Sequence, residues 1–139
     1  MKALGLDVGE RRIGLAVGEL GTALAVPAGV IKRLGKDDYY QAVIDAAKER
    51  GCDTLVVGMP LSMNGNRGPQ AVSIQEFVDG LAKRTSMTIE TWDERLTSVE
   101  ADRRLRAVGA RAKPVGTQDT MAATIMLQAF LDARREPAS

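Results

Sequence analysis

Apolar residues open the chain in two short runs, Lys2 to Asp7 and Ile13 to Val17, which flank Val8-Gly9-Glu10-Arg11-Arg12. The pattern is that of two strands joined by a glycine-assisted hairpin turn. A third strand is expected between Leu24 and Lys32, bent or at a sheet edge because Pro27 lacks a backbone donor and Gly29 lacks a side chain to pack. After Gly35-Lys36-Asp37-Asp38 the apolar positions Tyr40, Val43, Ile44 and Ala47 follow an i, i+3, i+4, i+7 spacing, which predicts an amphipathic helix ended by Gly51. Thr54 to Val57 is apolar past its first residue, as expected of a strand covered on both faces. A loop rich in turn formers follows from Gly58 to Pro69.

Ile74, Phe77, Val78 and Leu81 set a second helix, and Met87 to Trp92 a further strand, so that helix, strand, helix, strand form a parallel crossover pattern. Thr97 and Glu100 have the spacing of a capping box, which ends the strand near Asp93-Glu94 and starts a third helix running to about Val108. Ala122, Ile125, Met126, Ala129, Phe130 and Ala133 mark a last helix, widened by Ala123, Leu127 and Leu131 into a largely buried one. Residues 135–139 are expected to form a frayed tail. The reading is an α/β fold with a five-stranded mixed sheet and helices on both faces, and residues 1–139 as one domain.

Composition narrows the chemistry. With 139 residues, 45% of them hydrophobic, the chain has material for one core. No run of eighteen apolar residues exists, and Asp7 interrupts the start too early for a signal-peptide apolar region, so a soluble cytoplasmic protein with no membrane partner is expected. The single cysteine, Cys52, is expected to be a structural thiol at the entry to a buried strand. The chain has no histidine, which removes Ser-His-Asp and Cys-His triads and imidazole metal sites. A hydrolase built on this chain would have to activate water with carboxylates and metals.

The net charge of +1 says little about nucleic acid, but its distribution says more. From Met1 to Glu94 there are 11 Lys and Arg against 13 Asp and Glu, and from Arg95 to Ser139 there are 8 against 5. Arg103, Arg104, Arg106, Arg111 and Lys113 form a run without an acid, either a solvated face or a phosphate-binding surface.

Carboxylates occupy three telling places: Asp7 on the first strand, the adjacent Asp93 and Glu94 at the end of the last, and Asp119 in the first turn of the final helix. Singly, these suit a turn, a solvated strand end and a helix dipole. Converging at one sheet edge they would repel unless cations neutralised them, and an oxygen-only donor set suits Mg²⁺ or Mn²⁺. Strand alternation alone leaves open which of Asp93 and Glu94 faces the site.

Four ordered segments, Gly5-Leu6-Asp7-Val8-Gly9-Glu10-Arg11-Arg12-Ile13-Gly14, Val56 to Gly65, Asp93-Glu94-Arg95-Leu96-Thr97-Ser98 and Asp119-Thr120-Met121-Ala122-Ala123, resemble the YqgF family. These are Holliday-junction-resolvase-like proteins of the RNase H superfamily, and the resemblance spans Met1 to about Asp132. It implies an RNase H-like fold and a metal-dependent nuclease, with Asp7, Glu94 and Asp119 as metal ligands and Asp93 left to orient Arg95 or the turn. Maturation of the 5′ end of 16S ribosomal RNA is the role it implies first, and Holliday junction resolution the second; structured RNA is thus the favoured partner and branched DNA the other. Arg11, Arg12, Asn64, Arg95, Arg104, Arg106, Arg111 and Lys113 are the candidate nucleic-acid contacts. Two other readings compete: a non-catalytic nucleic-acid or ribosome-associated module, and a phosphotransferase whose phosphate loop would be Asp7-Val8-Gly9, for which a second such loop is missing.

Overall fold

A computed structural model describes residues 1–21, 24–33, 38–62, 64–97, 103 and 118–134, with the backbone alone for Gln118 and Asp119. Five strands form one mixed sheet in the order β3-β2-β1-β4-β5. Strands β1 (Lys2–Val8), β2 (Arg12–Glu19) and β3 (Val26–Lys32) pair antiparallel, whereas β4 (Thr54–Met59) and β5 (Thr88–Asp93) join β1 in parallel. Helices α1 (Tyr39–Glu49) and α2 (Pro69–Ala82) provide the crossovers. Helix α3 (Gln118–Arg134) covers the opposite face.

The strand pattern sorts side chains between two cores. Leu4, Leu6 and Val8 of β1 point to α1 and α2, where they meet Val43, Ile44, Ile74, Phe77 and Leu81. Ala3 of β1 and Ala16 of β2 point the other way, against Ala123, Leu127 and Leu131 of α3. Alternation therefore puts Asp7 on the α3 face, at the carboxyl end of its strand.

Local chemistry explains the ends. Asp38 caps α1 by accepting the Gln41 amide, and Gly51 leaves that helix with φ +69°, a left-handed conformation that glycine adopts without strain. Pro69 starts α2, where a missing amide costs nothing. Strand β3 is an edge strand, as Pro27 and Gly29 require, and its pairing slips by one residue between Leu15 and Ala16. Strand β4 is buried along its whole length and runs to Met59, two residues past the apolar run that announces it, because Gly58 and Met59 still pair with β5. Cys52 is buried at 7% exposure, and burial pushes its thiol pKa up, as suits an inert structural thiol. No helix among the described residues is long and apolar enough to cross a membrane. The helix expected from Thr97 to about Val108 and the tail at 135–139 lie outside the described residues, save that Arg103 is helical and exposed.

Candidate active site

The register brings the carboxyl ends of three parallel strands together. Leu6 of β1 stands opposite Val57 of β4, and Gly58 of β4 stands opposite Trp92 of β5, so that Asp7, Gly58 and the segment after Trp92 follow one another across the sheet. Strand β5 closes into a single 3-10 turn, Glu94–Leu96, whose start is capped by the Asp93 side chain. That turn separates the two adjacent carboxylates.

Asp93 accepts from the Arg95 amide at 3.0 Å and from the Arg95 guanidinium, with Nη2 at 2.6 Å. The ion pair holds the Asp93 carboxyl below its ordinary value. The same guanidinium reaches the Ser62 carbonyl at 3.4 Å and passes over Gly65, tying the loop between β4 and α2 to the end of β5. In that loop Asn64 is exposed, and its side-chain oxygen accepts from the Ser62 hydroxyl and from the Asn66 amide.

Glu94 goes the other way. Its side chain is half-buried and lies over Gly58: a Cβ at position 58 would stand 2.8 Å from Glu94 Oε1 and 3.3 Å from its carboxyl carbon. Desolvation by burial, then the charge of Asp7, then that of Asp93 push the Glu94 carboxyl above its ordinary value. Asp7 and Glu94 are thus brought together as a mutually repelling pair, while Asp93 is held by Arg95. The helix that carries Asp119 begins at Gln118 on this same face; the Asp119 side chain lies outside the described residues. Among the described residues no three acidic or cysteine side chains group together, so the described centre is a pair.

Two half-buried, repelling oxygen donors fit a hard divalent cation, whose charge would remove the repulsion, and they offer no nitrogen or sulfur to a softer one. Of the other candidates, Arg11 and Arg12 are exposed at the start of β2, beside the turn that follows Asp7. Arg104, Arg106, Arg111 and Lys113 lie outside the described residues. Sequence reasoning passed over Gly58, placed at the start of a loop. The one signal for it was a glycine after an unbroken apolar run, a position where close approach of another group is a standing explanation.

The chain has named relatives and solved structural neighbours. A protein of Chloroflexus aggregans named "Putative pre-16S rRNA nuclease" is 45% identical over 135 residues, covering 96% of this chain and 95% of its own. A protein of the same name from Thermoanaerobacter pseudethanolicus is 37% identical, covering 97% of this chain and 99% of its own. In fold, the chain is similar to RuvC of Thermus thermophilus, with a TM-score of 0.67, 13% identity and 96% coverage of both chains. A structure of T. thermophilus RuvC with a Holliday junction substrate matches at TM-score 0.67 and 12% identity, over 98% of this chain and 96% of that one. These likenesses make the fold RNase H-like. The model of one family, described as RuvX, Holliday junction resolvase, matches residues 1–133, and to that family this chain belongs.

Proposed function

We propose that this chain is a divalent-metal-dependent nuclease that hydrolyses phosphodiester bonds in structured nucleic acid, and that its reaction is maturation of the 5′ end of 16S ribosomal RNA. The observation that carries the reading is the Asp7–Glu94 pair: Glu94 is half-buried over Gly58 at the end of β4, and the charge of Asp7, at the end of the neighbouring β1, pushes its carboxyl up, a repulsion that a bound cation would remove. Asp7, Glu94 and Asp119 would hold Mg²⁺ or Mn²⁺. When bound, such an ion supplies Lewis-acid polarisation and a water of lowered pKa, which a chain without histidine needs.

The chain's own residues do the rest. Asp93 fixes Arg95, whose guanidinium in turn donates to the Ser62 carbonyl and ties the loop after β4 to the end of β5. Arg11 and Arg12, exposed beyond the end of β1, neutralise phosphate charge where a strand passes Asp7. Asn64 adds a polar contact from the loop, and Arg104, Arg106, Arg111 and Lys113, which precede Asp119 in the chain, are the remaining candidate phosphate contacts. The whole chain acts as one domain, in the cytoplasm, where ribosomal precursor RNA is found. The family description and the names of the relatives support a nuclease; the relatives' names favour RNA.

Side-by-side cleavage of a 5′-extended 16S precursor RNA fragment, a linear single strand and a four-way DNA junction, in Mg²⁺ or Mn²⁺, tests the reading. The precursor is expected to be cut, and Asp7→Asn to fold normally while losing at least about a hundredfold in rate, as when a metal clamp is disrupted. Glu94→Gln should behave alike and Asp93→Asn should be milder. Cleavage of the junction alone would move the reading to the second role of the family, junction resolution. An Asp7→Asn protein of unchanged activity would remove the site.

A further inference from the structure

We propose that Lys32, paired across the sheet with Arg12, is a phosphate-binding residue that holds the nucleic-acid strand beside the acidic pair; the proposal rests on the nuclease reading above. Nothing local in the sequence points to Lys32, which ends an edge strand far along the chain from Asp7. Pairing brings it there. Asp7 stands opposite Gly14 of β2, and Gly14 opposite Val30 of β3; one step further along the same face, Arg12 stands opposite Lys32. Their neighbours Ile13 and Ile31 point to the α1 and α2 core, so Arg12 and Lys32 lie on the face that Asp7 occupies.

Strand geometry sets the scale. With about 4.8 Å between strands and about 3.4 Å per residue, the Cα atoms of Arg12 and Lys32 lie roughly 8 Å and 12 Å from that of Asp7, beyond the carboxyl end of β1. Both residues are exposed, and among the described residues Lys32 has no ion-pair partner. Arg11 and Arg33 stand in the same two segments, and Glu10 at the turn tip is the sole carboxylate among residues 9–12 and 30–33. The result is a basic strip that starts at the acidic pair and runs off across β2 and β3.

The strip is held still. Gly9 donates to the Arg12 carbonyl at 2.8 Å, and the Arg33 amide donates to the Arg11 carbonyl at 2.9 Å. The Arg33 guanidinium donates to the Gly9 carbonyl and stacks over the Tyr39 ring at 5.0 Å, which ties the hairpin turn to α1 from the opposite face. Arg33 is therefore a brace, and Lys32, with its flexible stem, is the side chain free to meet a phosphate. Backbone phosphates are the partner that fits, because exposed point charges on a flat sheet end read no base identity.

Binding of a fluorescein-labelled RNA hairpin, followed by anisotropy from low to high KCl without divalent metal, tests this apart from catalysis. Lys32→Ala should weaken binding by about two- to fivefold at low salt, the range of an exposed charge pair, and Lys32→Glu by more. The slope of log K against log salt should fall by about 0.7 to 0.9, the value for a single phosphate that is no longer neutralised. Lys48→Ala removes the same charge from the exposed face of α1 and should leave both affinity and slope as in the wild type. Equal binding by wild type and Lys32→Ala, or equal losses from Lys32→Ala and Lys48→Ala, overturns the proposal and leaves the nuclease reading standing. A wild-type protein that binds no hairpin at any salt also overturns the proposal, and the cleavage assay above decides the nuclease reading separately.

Discussion

The two faces of β1 are built on opposite rules. Toward α1 and α2 the strand presents Leu4, Leu6 and Val8, and the facing helices fill the space with Ile44, Phe77 and Leu81. Toward α3 it presents Ala3, Gly5 and Asp7, and β2 presents Gly14, Ala16 and Gly18 beside them. On the first face bulk removes apolar area from water and so supplies most of the stability. On the second, missing bulk lets a helix approach the strand backbone: a Cβ on Gly5 would stand 3.0 Å from Leu127 Cβ, and one on Gly18 only 2.6 Å from Leu131 Cδ1. One face secures the sheet, and the other lets α3, the helix that bears Asp119, sit close on the backbone of β1 and β2.

If that division is real, the faces can be damaged separately. Leu81→Ala, in the fully buried core of the first face, should cost about 2–5 kcal/mol in urea unfolding while cleavage per folded molecule stays the same. A proportional loss of activity would show that the faces are not independent. Gly5→Val, on the second face, should cost less, about 1–3 kcal/mol for overpacking, yet lower activity by far more than the lost stability explains, because α3 must move away from β1. Activity per folded molecule that survives Gly5→Val would mean the close approach serves packing alone.

The smallest effect reads the charge on the second face without any substrate. Burial and Asp7 raise the Glu94 carboxyl in the folded chain, so the native state holds that proton more tightly than the unfolded one. Its contribution to stability is present below the ordinary glutamate value and is lost as pH rises through the raised one. In metal-free protein Glu94→Gln should therefore raise the melting temperature by a few degrees at pH 8 and by little at pH 4, followed by calorimetry in chelator. A melting temperature that falls at pH 8 would mean that Glu94 is favourably paired rather than strained.

Much of this arrangement was legible in the residues themselves. Short apolar runs on either side of a glycine-assisted turn marked β1 and β2, the i, i+3, i+4, i+7 spacing of Tyr40, Val43, Ile44 and Ala47 marked α1, and Pro27 with Gly29 marked β3 as an edge. These are local signals, carried by neighbours in the chain. The separation of Asp93 from Glu94 was not legible from alternation, because a 3-10 turn begins between them and breaks the period on which the inference depends. Nor could Gly58 or Lys32 be singled out, since their meaning lies in cross-strand register, with Glu94 in one case and with Arg12 in the other. The four-motif resemblance named Asp7, Glu94 and Asp119 together; geometry adds how two of them are held.

The glycine beneath the Glu94 carboxylate has a genetic consequence. Any single-base change in a glycine codon that substitutes another residue introduces a Cβ, and at position 58 that atom falls 2.8 Å from Glu94 Oε1, closer than such atoms approach one another. The Glu94 carboxylate, at the far end of a flexible side chain, must then shift from the place it holds over the strand, whichever residue has arrived. On the proposed site, position 58 is thus one at which a substitution disturbs Glu94 with every acidic residue intact, and a screen for loss-of-function alleles should recover it alongside the carboxylates.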